Sequence, residues 1–96
     1  MLRTGTLLLL LAGCGASPAP EFFGADRRDI AVDGRQYTVF FTERRVQVIR
    51  HGWAARGEHQ AIRAAMAGLV EPVTGCRLVE ATLHGDSGEM RGSIRC

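Results

Sequence analysis

A chain of ninety-six residues has room for one small domain. Its net charge of +2 is too small for bulk attraction to nucleic acid or to an anionic membrane surface. Hydrophobic residues make up 46% of the chain, enough for a globular core although a leucine run inflates the figure, and three cysteines leave one thiol outside any pair.

The first element is a targeting segment. Met1, Leu2 and Arg3 form a short positive start, and Thr6 to Ala12 is apolar, with five consecutive leucines from Leu7. That stretch falls far short of the roughly 20 residues a membrane-spanning helix needs. It has the length of a signal-peptide apolar core. It closes on Leu11-Ala12-Gly13-Cys14. This resembles the lipobox of bacterial lipoproteins: an aliphatic residue, a small residue, Gly or Ala, then Cys. The resemblance implies that Cys14 takes diacylglycerol as a thioether. Signal peptidase II would cut after Gly13, and a fatty acid such as palmitate would acylate the new amino group. Two or three chains anchor stably where one binds only marginally. The implied location is the bacterial cell envelope, lipid-anchored and facing the periplasm. Gly15, where Asp would favour inner-membrane retention, points to the outer membrane by the same resemblance.

Residues 1–13 are therefore expected to be a signal peptide. Residues 14–26, rich in Gly, Ala, Ser and Pro, are expected to be a lipidated flexible tether, and residues 27–96 a single domain. Phe22 and Phe23 are apolar enough to dock on that domain or at the bilayer interface.

Residues 28–50 alternate. Ile30 and Val32 lead into Asp33-Gly34, the strongest short hairpin signal. Tyr37, Val39 and Phe41 follow, then a turn at Glu43-Arg44, then Val46 and Val48. Two-residue loops place Ile30 opposite Tyr37, Phe41 opposite Val46 and Val39 opposite Val48, all on one face. Phe40 and Ile49 fall on the other. A loop follows at residues 51–57. A helix is expected from Glu58 to Val70, from the spacing of Ile62, Ala65, Met66 and Leu69, with Pro72 ending it, helped by Thr74-Gly75. A second hairpin turns at residues 85–87, with Leu78 opposite Ile94, Thr82 opposite Met90 and Cys76 opposite Cys96. The whole predicts an α+β two-layer sandwich, βββαββ, with one helix on an antiparallel sheet. Once Cys14 is lipidated, Cys76 and Cys96 remain to form a disulfide. It closes a loop of about twenty residues, worth roughly 3 kcal/mol in a domain of marginal size.

The candidate functional residues are few. His51, His59 and His84 would have to converge to bind metal, and their spacing fits no known ligand pattern. The expectation is scattered surface histidines and no metal. Trp53, alone in a loop after Gly52, is either a plug over the sheet edge, the reading we favour, or a partner contact. Phe40 and Ile49 are candidate partner contacts if their face is open. Asp86 and Ser87 near His84 resemble hydrolase parts, but a turn uses Asp and Ser for its own hydrogen bonds. No nucleophile has a recognisable base, so the sequence predicts no catalytic residues, no cofactor and no enzyme activity. The expected function is a lipid-anchored, non-catalytic envelope protein that binds a partner protein or wall component, with no role in nucleic-acid binding. The alternatives are an accessory or assembly subunit of a larger envelope complex, and a small enzyme or metal protein using the histidines.

Overall fold

The structure, a computed structural model, describes residues 17–96. The expected signal peptide, the lipobox-like segment and Cys14 lie outside the described residues. Alternating apolar residues make the strands, and the 3.6-residue spacing of others makes the helix. The elements are a 3-10 turn (Pro20–Phe22), β1 (Asp26–Val32), β2 (Arg35–Phe41), β3 (Arg45–Arg50), α1 (His59–Thr74), β4 (Arg77–Gly85) and β5 (Glu89–Arg95). One helix packs on a five-stranded antiparallel sheet, an α+β architecture.

The expected order βββαββ describes the chain and not the sheet. In space the strands run β1-β2-β3-β5-β4, and a 3-10 turn precedes them. β5 takes the inner place beside β3 because it carries the buried residues Met90 and Ile94, whereas β4 has no fully buried position.

The first two hairpins keep the register that alternation dictates. Ile30 lies opposite Tyr37, Val39 opposite Val48 and Phe41 opposite Val46. Asp33 and Gly34 both have positive φ, 51° and 76°, the pair of values a two-residue type I′ turn demands. Tyr37, Val39, Val46 and Val48 then point to the same side, where Ile62, Met66, Leu69 and Val70 of α1 cover them. Each such side chain contributes about 1.5–3 kcal/mol by leaving water. A lone helix of this length would be marginal without that support.

Four expectations need correction. The helix runs on to Thr74, so Pro72 lies inside its last turn and does not end it. The Thr74 hydroxyl donates to the Val70 carbonyl at 2.7 Å, and the chain leaves the helix at Gly75, whose φ of 74° suits a left-handed cap. In the second hairpin Leu78 does face Ile94, but Met90 pairs with Gly85 and not with Thr82. The register shifts between Val79 and His84. There the Thr82 hydroxyl donates to the Val79 carbonyl at 2.6 Å and accepts from the Ser93 N–H at 2.8 Å. Packing over Gly92 at this bulge is close: a Cβ there would sit 3.3 Å from Leu78 and 3.4 Å from Leu83 and Thr82.

The third correction concerns residues 19–25 of the expected tether, where Phe22 docks on the domain as its apolar character allowed. Packing begins before residue 27. Phe22 is buried against Phe40, with Ala19, Ala25 and Ile49 around the pair. The Ala19 N–H donates to Gln47 Oε1 at 3.0 Å, and Glu21 accepts from Arg45 Nε at 3.0 Å. Residues 19–25 are thus a folded arm across the sheet face opposite α1. The fourth correction is Trp53. It is 79% exposed and plugs nothing.

Cys76 and Cys96 are joined by a disulfide just beyond the terminal pair Arg77 and Arg95 of the second hairpin. The bond ties the segment after β5 to the segment that leaves α1.

Candidate functional site

The arm changes what the second sheet face offers. Phe40 is buried between Phe22 and the Arg27 guanidinium, which lies 5.7 Å from its ring centre. Ile49 is half-buried at the edge of the same cluster. The pair do not form an open apolar patch, and Phe40 is covered from any partner. Phe23, next in the chain after Phe22, is left 71% exposed.

Trp53 projects from the loop between β3 and α1. Around it, Asp33, Gly34 and Arg35 of the first hairpin join His51 and Gly52 to line a shallow cleft of about 390 Å³. The loop is held at both ends. The His51 N–H donates to the Gln36 carbonyl at 2.9 Å, and Glu58 Oε1 accepts from the Ala55 N–H at 2.7 Å. Glu58 also pairs with Arg35 at 3.3 Å, and the Ala55 bond together with Arg35 draws its pKa below the ordinary 4.5. An exposed indole on a loop fixed in this way is a ready contact surface.

The three histidines go to three separate places. His51 Nε2 lies 2.7 Å from the Thr38 hydroxyl, which donates to Asp29 at 2.7 Å. Thr38 is fully buried, and its hydrogen bond is the main cause holding the Asp29 carboxyl below its ordinary value of 3.8. His84 is exposed on β4, its Nδ1 3.2 Å from the Thr82 carbonyl. His59 opens α1 and meets Ser87, with Nδ1 2.5 Å from Oγ. Among the described residues no group of three His, Cys, Asp or Glu is placed to hold a metal ion.

The His59–Ser87 contact lies in a cleft between the start of α1 and the β4–β5 turn. Arg50, His59, Arg63, Asp86, Ser87 and Gly88 line its volume of about 510 Å³. Ser87 is only 7% exposed, and its hydroxyl accepts from Arg50 Nη1 at 3.3 Å. Asp86 does turn duty, as its residue type suggests. Its Oδ1 accepts from the Gly88 and Glu89 N–H groups at 2.7 and 3.1 Å. Those two bonds, with the charges of Arg50 and Arg63, hold its carboxyl below 3.8.

Linear proximity sets Asp86 and Ser87 beside His84, whereas the fold gives Ser87 to His59. Nothing in linear spacing joins positions 50, 63 and 87. The one available signal is His59 and Arg63 at i, i+4, which share a helix face. Ser87 and His59 look like part of a hydrolytic site, but none of the described hydrogen bonds gives His59 Nε2 the acceptor that would orient a catalytic base.

Comparison with protein-family models, with curated proteins and with solved structures finds no significant match to this chain. Among the described residues no helix is long and apolar enough to cross a membrane.

Proposed function

We propose that the protein is a lipid-anchored domain of the bacterial cell envelope, non-catalytic, held at the membrane through Cys14 and presenting the Trp53 loop to a partner protein or wall component. The observation that carries the reading is the fate of the cysteines. The Cys76–Cys96 disulfide accounts for two of the three, and the third is Cys14, at the end of Leu11-Ala12-Gly13-Cys14. A structural disulfide suits an exported protein, which is where a lipobox would send it.

The folded arm supports a specific posture. Five residue steps separate Cys14 from Ala19, so the extended chain between them spans at most about 18 Å. With Ala19 fastened to Gln47, the arm-bearing face of the sheet stays close to the bilayer, and the arm itself carries the exposed Phe23. The helix lies on the other face. The domain would sit directly on its membrane and not at the end of a long tether.

Metabolic labelling with a palmitate analogue tests the anchor. The wild-type chain should take the label and Cys14→Ala should not. Equal labelling of the two overturns the proposal.

A further inference from the structure

We propose that the cleft between the start of α1 and the β4–β5 turn binds a phosphate group, either free phosphate or that of a small organic phosphate. Four polar side chains from three elements converge there: Arg50 from the end of β3, His59 and Arg63 from the first turns of α1, and Ser87 from the turn. Among the described residues neither arginine has a carboxylate within ion-pair distance, although four other arginines do. The Arg50 Nε–H is buried and has no hydrogen-bond partner, so this side chain lacks one acceptor. A buried unmet donor on a charged group is costly, and a small shift of the Arg50 side chain toward an anionic oxygen in the cleft would relieve it.

The carboxylate already present, Asp86, acts on Arg50 and Arg63 by charge at a distance and is not within ion-pair distance of either. The two backbone N–H groups of its own turn occupy Asp86 Oδ1. With two guanidinium groups against one carboxylate, the lining stays positive before His59 is counted. The Ser87 hydroxyl accepts from Arg50 and can still donate one proton, to His59 Nδ1 or to a ligand oxygen. Donors approaching from strand, helix and turn suit a tetrahedral oxyanion better than a planar carboxylate, which one guanidinium fork would satisfy. The cleft volume falls within the range of about 300–1,000 Å³ for small-molecule sites, so an ester group beyond the phosphate has room.

The cleft opens on the helix side of the sheet, so the assignment stands apart from the lipid anchor and does not depend on it. The test is a titration of the full chain, solubilised in a neutral detergent, at constant ionic strength, followed by backbone amide and imidazole chemical shifts. Inorganic phosphate and glycerol phosphate should shift Ser87, Gly88 and His59 saturably. Arg63 is exposed, so Arg63→Gln should leave the fold intact and weaken binding at least tenfold, whereas Arg91→Gln should leave binding unchanged. Phosphatidylglycerol vesicles form a further arm. A response to vesicles alone would keep the phosphate chemistry and assign its source to a lipid headgroup. Absence of a saturable shift in every arm, an equal response to acetate, or full binding by Arg63→Gln would overturn the proposal.

Discussion

Phe22 lies buried against Phe40, eighteen positions further along the chain and on the sheet face that the helix leaves bare. That contact turns a stretch with the composition of a tether into part of the domain. Replacing Phe22 with Ala removes the cover from Phe40 and should lower stability by about 2 kcal/mol, the hydrophobic contribution of one buried aromatic side chain. Phe23→Ala should cost almost nothing. Urea unfolding of the two variants checks this, and equal midpoints would mean that the arm adds nothing to the fold.

The disulfide closes a loop of twenty residues and ties Cys96 to the exit of α1. In the chain-entropy account a loop of that size is worth about 3 kcal/mol. The Cys76→Ser, Cys96→Ser double variant should therefore melt well below wild type. Thiol counting on the unreduced, denatured protein should find neither Cys76 nor Cys96 free.

Trp53 is the sole tryptophan and stands in solvent. Its fluorescence should have the red-shifted emission of a hydrated indole and be quenched readily by iodide. Because it holds nothing together, Trp53→Ser should change stability by less than about 0.5 kcal/mol. A large loss of stability would identify it as a packing residue after all.

Acid should destabilise the protein through identifiable groups. The carboxyls of Glu21, Asp29 and Asp86 all sit below their ordinary values, because of Arg45, Thr38 and the Gly88 N–H respectively as the largest influences. Since their folded-state values are depressed, the stability they contribute is present above the unfolded-state values and is lost as pH falls through the folded-state ones. The loss should begin near pH 5 and deepen as pH drops below about 4. The groups are largely solvated, so each share is modest. Melting curves across that interval should shift downward, and Thr38→Val should reduce the shift by removing the hydrogen bond to Asp29.

The sequence by itself determined whatever depends on neighbours along the chain. Alternation fixed the strands and one face of the sheet, Asp33-Gly34 fixed the first turn, and helical spacing fixed the face that α1 buries. These are short-range constraints, enforced by backbone geometry and by the need to hide apolar side chains. The pairing of Cys76 with Cys96 was legible for the same reason, since one hairpin holds both. The tertiary structure alone decided the rest. Composition marked residues 19–25 as part of a tether in which only Phe22 and Phe23 could dock, whereas the fold holds them by Phe22 against the bare face together with the Ala19–Gln47 and Glu21–Arg45 contacts. The shift at Val79 to His84 comes with the Thr82 hydroxyl bonds to Val79 and Ser93 and close packing over Gly92, contacts made between strands and not along the chain. The phosphate cleft draws on β3, α1 and the last turn, whose meeting is set by packing of the helix on the sheet. Chemistry assembled from separate elements leaves no spacing in the sequence, because no local force has to place its parts.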